Sequence, residues 1–170
     1  MTPDTKDWTW VVERACPDCG FDAAALAVAD LPELLRATTL RWSTVLRGDD
    51  VRRRPAADVW SPLEYAAHVR DVHRIFAERV SSMLRDEAPT FANWDQDVAA
   101  IEGDYARQDP VDVEVALIEA AGECAGIYAG VRIGQLQRTG LRSNGSAFTV
   151  ETIGRYHLHD VVHHLGDVGA

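Results

Sequence analysis

Between Ser61 and Arg85 the chain spells out a long helix from its first residue to its last. Ser61 stands at the cap, Pro62 takes the first helical position, and Glu64 falls three residues after the cap to complete a capping box. Beyond this start Tyr65, His68, Val69, Val72, Ile75, Phe76, Val80 and Met83 recur along one side at helical spacing. A helix this long must cover its apolar side with elements of comparable length. Three further segments offer that cover. The first runs from about Leu31 to Leu46, with Asp30 as cap, Pro32 and Glu33 in its first turn, and Gly48 ending it. Its stripe is Leu31, Leu34, Leu35, Thr38, Trp42 and Val45. Another begins at Asp109-Pro110 and places Val111, Val115, Ile118, Gly122, Ala125 and Ala129 on one face, with small residues that favour close helix approach. The last starts near Thr149 and runs to about Gly166. No segment alternates as a strand would, and Arg138 to Ser146, with Gly140, Asn144 and Gly145, reads as a loop. The expected fold is all-α, a four-helix bundle.

A connection of residues 86 to 109 separates the second and third of these helices. Pro89 and Pro110 mark its ends, and Asn93-Trp94-Asp95-Gln96-Asp97 can start a short helix within it. Connections of this length usually serve a function. Residues 1–28 read as an irregular N-terminal extension with a short Ala-rich stretch, and residues 29–170 as the bundle. At 170 residues, 46% hydrophobic and 26% charged, the chain suits a single soluble domain. No apolar run reaches the ~20 residues of a membrane span. Met1 to Asp7 lack a basic start and an apolar core, so a cytoplasmic location is expected. The net charge of −10 argues against nucleic acid and against anionic membranes as partners. Arg52, Arg53 and Arg54 then read as a solvated loop. Three cysteines, Cys16, Cys19 and Cys124, are an odd set for a disulfide framework.

The chemistry concentrates in Tyr156-His157-Leu158-His159-Asp160-Val161-Val162-His163-His164-Leu165. On a helix, His159 and His163 lie one turn apart, about 6 Å between Cβ atoms, the separation that lets two imidazoles share an ion. Val150, Leu158, Val161, Val162 and Leu165 form the apolar arc, and the pair flanks it near Tyr156. His68 lies on the buried stripe of the second helix, whereas His73 points elsewhere. The candidate metal ligands are therefore His68, His159 and His163, a three-imidazole set suited to zinc, nickel, iron or copper with positions left for water or substrate. The competing reading is that these are packed core histidines.

Trp60 to Val72 (Trp60-Ser61-Pro62-Leu63-Glu64-Tyr65-Ala66-Ala67-His68-Val69-Arg70-Asp71-Val72), followed far downstream by His159-Asp160-Val161-Val162-His163-His164-Leu165, resembles the DinB-like superfamily, which includes the mycothiol-dependent maleylpyruvate isomerases and related thiol transferases. The resemblance spans roughly residues 31 to 168. It implies a four-helix bundle with a long crossover between helices two and three. It also implies a divalent metal on one histidine of the second helix and the HxxxH of the fourth, which map onto His68, His159 and His163. A homodimer, and mycothiol or bacillithiol as co-substrate, follow from the same resemblance.

Asp71, one turn beyond His68, and Asp160, beside His159, are candidate acceptors for ring N–H groups behind the ligands. Tyr156 is a candidate catalytic acid or hydrogen-bond donor. Trp60 and Trp94 could wall a substrate pocket, and Arg142, Asn144 and Arg155 could bind a carboxylate. Cys16-Pro17-Asp18-Cys19-Gly20 is half a zinc knuckle; reduced thiols of minor importance, a metal or redox role, and a disulfide all remain open. Cys124 reads as a small packing residue. Two functions stand against each other. One is a metal-dependent thiol S-transferase or isomerase acting on a small electrophile, with zinc or nickel as the ion. The other is a non-catalytic metal-binding sensor or dimeric interaction module.

Overall fold

The computed structural model describes residues 8–170; the stretch Met1 to Asp7 lies outside the described residues. Its helices are α1 (Leu31–Leu46), α2 (Pro62–Arg85), the short α3 (Gln96–Glu102), α4 (Pro110–Ala129) and α5 (Val150–Asp167). α2 packs most extensively on α4, α1 also packs on α4, and α5 closes the bundle against both α1 and α2. The starts follow from local chemistry. Ser61 accepts from the Glu64 amide while the Glu64 carboxylate returns to the Ser61 amide at 2.9 Å, so α2 begins at Pro62. Thr149 and Thr152 make the same reciprocal pair at the head of α5. Asp109 caps α4, accepting from the amides of Val111 and Asp112. Asp30 occupies the cap position of α1 without a side-chain cap bond. The crossover carries α3, which Asp95 caps.

α2 is the central helix and is buried nearly all round, from Leu63 to Met83. His73, expected to point away, is fully buried and bonds to Thr39 of α1 and His157 of α5, both at 3.0 Å. Gly154 lets α5 approach α1 and α4 closely: a Cβ there would stand 2.6 Å from Leu31 Cδ2 and 3.2 Å from Tyr128.

Two expectations need correcting. The buried face of α4 is Val113, Leu117, Ala120, Ala121, Cys124, Ala125 and Tyr128, whereas Val111, Val115 and Ile118 are exposed. Both sides of this helix are apolar, so periodicity alone picked the wrong one. The Arg138–Ser146 stretch also contains strand: β2 (Thr139–Arg142) and β3 (Ala147–Thr149) form a hairpin, and β1 (Thr90–Phe91) from the crossover pairs parallel to β2. Strands of two to four residues are too short to show alternation. The loop arginines Arg52, Arg53 and Arg54 are exposed; Arg54 also pairs with the buried Glu64, and Arg52 bonds the Ala106 and Gln108 carbonyls. Among the described residues no helix is long and apolar enough to cross a membrane.

Candidate metal centres

α5 presents ligands on two adjacent faces. Successive residues turn by 100°, so His159 and His163 share one face, and Asp160 and His164 share the next. The bundle gives each pair a different partner. Asp160 and His164 meet His68 of α2, and His159 and His163 meet Cys16 and Cys19 of the N-terminal extension; within each set one ligand atom per residue lies within 4.8 Å of every other. The expected triad of His68, His159 and His163 is therefore divided between two clusters. The register is shifted by one residue because the face of α5 turned toward His68 carries Asp160 and His164.

In the first cluster Asp160 Oδ1 lies 3.7 Å from His68 Nε2 and 3.6 Å from His164 Nε2. These spacings are too long for hydrogen bonds. They approach the ~3.4 Å expected between two N or O ligands about 2.1 Å from one tetrahedral ion. Both His68 ring nitrogens and Asp160 Oδ1 are sealed from solvent without a hydrogen-bond partner among the described residues. Burying such groups unpaired costs kilocalories per mole, so the set has the form of a cation site. Trp94 stacks on His68 at 5.3 Å between ring centroids, and Trp60 lies 5.2 Å away on another side. Burial pushes the His68 imidazole down, leaving it neutral with a lone pair to donate. Burial alone would raise the Asp160 carboxyl, but the surrounding imidazoles, His68 foremost, hold it well below the usual carboxylate range. His164 Nδ1 faces Asp167 Oδ2 at 2.8 Å, which turns its Nε2 toward the cluster.

In the second cluster Cys16 Sγ lies 3.8 Å from His163 Nδ1. The His159 and His163 rings are 5.3 Å apart, and Trp8 packs on both, at 5.8 and 5.0 Å. Burial, with His163 beside it, pushes the His159 imidazole down to about 4. Burial raises the Cys19 thiol despite the Phe21 amide. All three cysteines are free of disulfides.

A cavity of about 260 Å³ borders both clusters; Trp60, Tyr65, Tyr156, Asp160 and His164 are among its walls. Four aspartates line it, Asp58, Asp97, Asp160 and Asp167, and no arginine or lysine among the described residues does. Trp60 and Tyr156 both border this cavity. Trp94 instead lies outside the cavity lining and covers His68. Arg142 is turned to the Asn93 side chain at 2.7 Å, and Arg155 to Glu151 and the Leu26 carbonyl; neither borders the cavity. Asn144 accepts from the Ser146 amide. Asp71 is held by Arg70, Arg74 and the Tyr105 hydroxyl rather than by a histidine ring. Asp160 stands in one cluster with His68 and His164 rather than behind His159. His164, Asp167 and Tyr65 escaped the sequence reading. The usable signal was present: Asp160-x-x-x-His164 has the same one-turn spacing as His159-x-x-x-His163, and a carboxylate ligates as well as an imidazole.

Solved structures include one of this shape: YfiT from Bacillus subtilis, described as a probable metal-dependent hydrolase with an unusual four-helix bundle topology. It is 18% identical, with a TM-score of 0.69, and the alignment covers 82% of this chain and 81% of that one. No curated protein matches the sequence significantly. The family model for the DinB superfamily matches residues 28–168, the whole bundle including His159, Asp160, His163 and His164 of α5, and the chain belongs to that superfamily.

Proposed function

We propose that the protein is a divalent-metal-dependent enzyme whose ion is held by His68, Asp160 and His164. The observation that carries this reading is the buried, unpaired His68 ring facing Asp160 at the edge of the cavity. Two imidazoles and one carboxylate form the donor set of many catalytic zinc centres, in which the protein leaves a position open. Zinc suits the set; nickel is the alternative ion. A divalent ion in such a set lowers the pKa of a bound water or thiol and so supplies a nucleophile near neutral pH.

The chain's own residues define what can enter. With Asp160 offset by the ion, Asp58, Asp97 and Asp167 still leave the wall acidic, which disfavours dicarboxylate substrates and an isomerase acting on them. A small neutral or cationic electrophile fits the volume. Burial pushes the Tyr65 hydroxyl up to about 12, so it stays protonated and can donate to a substrate oxygen; Tyr156 borders the same space. Trp60 contributes an apolar wall. Hydrolysis is the primary reading, in keeping with the description of YfiT. Thiol transfer is the second, supported by the superfamily resemblance, and the acidic wall favours a thiol without carboxylates, mycothiol, over bacillithiol.

The test is a panel of neutral and cationic esters, amides and alkylating electrophiles, assayed with and without each thiol, on the metal-loaded protein and on His68→Ala. Turnover without thiol identifies hydrolysis and turnover only with thiol identifies transfer; either should fall at least 100-fold in the variant. Metal content unchanged by His68→Ala would refute the assignment.

A further inference from the structure

We infer that Cys16, Cys19, His159 and His163 form a second, structural zinc site, separate from the centre on His68, which pins the N-terminal extension to α5.

Four observations carry it. The ligand atoms of the four residues lie within 4.8 Å of one another. Cys16 Sγ and His163 Nδ1 are 3.8 Å apart, close to the ~3.6 Å expected of a sulfur at about 2.3 Å and a nitrogen at about 2.0 Å from one tetrahedral zinc. His159 Nε2 is sealed from solvent with no hydrogen-bond partner among the described residues. The Cys16–Gly20 turn is shaped as a ligand knuckle. The Gly20 amide returns to the Cys16 carbonyl at 2.8 Å, the Cys16 amide bonds the Phe21 carbonyl at 2.9 Å, and Gly20 takes a φ of +72°, open to glycine at little cost. Cys16 and Cys19 thereby face the same side.

The charge balance fits burial. Zinc displaces the protons of the two thiols to solvent, and two thiolates with two neutral imidazoles around a divalent ion leave no net charge. Four protein ligands close the coordination shell, the structural rather than catalytic arrangement. Asp167 Oδ1 lies 3.9 Å from His163 Nε2, while its other oxygen faces His164. Asp167 therefore hydrogen-bonds the His164 ring and lies near His163 without bonding to it. The consequence reaches the cavity: Trp8, packed on His159 and His163, is one of its walls, so the second site holds that wall in place.

The test uses the full chain with cobalt in place of zinc. Expected is a content of two ions per chain and a near-ultraviolet thiolate-to-cobalt charge-transfer band. Cys16→Ser combined with Cys19→Ser should remove one ion and the band, whereas His68→Ala should remove the other ion and leave the band intact. This separates the inference from the proposed enzymatic centre. Cys19→His, which keeps a ligand, should retain both ions with a weaker band, and this guards against misfolding of the double variant. A cobalt spectrum lacking thiolate charge transfer, or a Cys16–Cys19 disulfide in the protein purified with metal, would overturn it.

Discussion

A one-residue offset on α5 separates the two ligand pairs. His159 and His163 look toward the extension, and Asp160 and His164 toward α2. Asp167 bonds the His164 ring at 2.8 Å, so Asp167→Asn should weaken the ion on His68, Asp160 and His164 by about 10–100-fold in chelator-competition titrations and change the other little. An equal loss at both ions would show that the carboxylate orients both rings. The Thr39–His73–His157–Cys124 chain is a different kind of polar cluster, packed within the core with one proton per ring sufficing for its bonds. Burial holds His73 at about 4 in the folded protein, against about 6.5 when unfolded. The depressed folded value means that above pH 6.5 neither state is protonated and the folded state loses nothing. As pH falls from 6.5 toward 4 the unfolded chain takes a proton that the folded one refuses, and stability drops by up to about 1.4 kcal/mol per pH unit. Urea denaturation of His73→Gln between pH 6.5 and 4.5 should show a slope shallower by about that amount. An unchanged slope would mean that His73 titrates normally.

Capping chemistry read from single residues placed the ends of the helices well. The Ser61–Glu64 box begins α2 at Pro62, and Ser61→Ala should cost about 1 kcal/mol in thermal or urea unfolding. At Gly154 the cost comes from packing instead. Gly154→Val would drive a branched side chain against Leu31 and the buried Tyr128, and should destabilise by about 2–3 kcal/mol. A neutral result there would show that α1 and α4 can move apart freely. Where local signals were ambiguous, the reading failed. α4 is apolar on two sides, and only its seat between α1 and α2 decides that Val113 and Leu117 go inward while Val111 and Val115 stay exposed. β1, β2 and β3 exist because the crossover and the hairpin meet, and Gly140 allows Phe91 and Met83 to close over it.

For the molecule as a whole, the extension from Trp8 onward is part of the fold rather than an appendage: Val11, Cys16 and Ala23 are buried, and the turn Thr9–Val12 packs on α5. Chelation should therefore act unevenly. Removing metal should lower the melting temperature and, in limited proteolysis, open the segment between Glu13 and Asp22 before any bundle helix is cut. Simultaneous cleavage of segment and bundle would contradict a stapled extension. The sequence alone determined the helical class, the termini of α1, α2 and α5, and the histidine-rich turn of α5, because caps and periodicity are written within a few residues. It could not determine which ligands converge. Asp160 and His164 reach His68, and Cys16 and Cys19 reach His159 and His163, across separations of some 90 to 150 residues that only packing brings together. Turning α5 by one residue's 100° would bring His159 and His163 to His68 and set Leu158 and Val162 opposite the cysteines, and the rotation is fixed by the burial of Leu158, Val161 and Leu165 against the other helices.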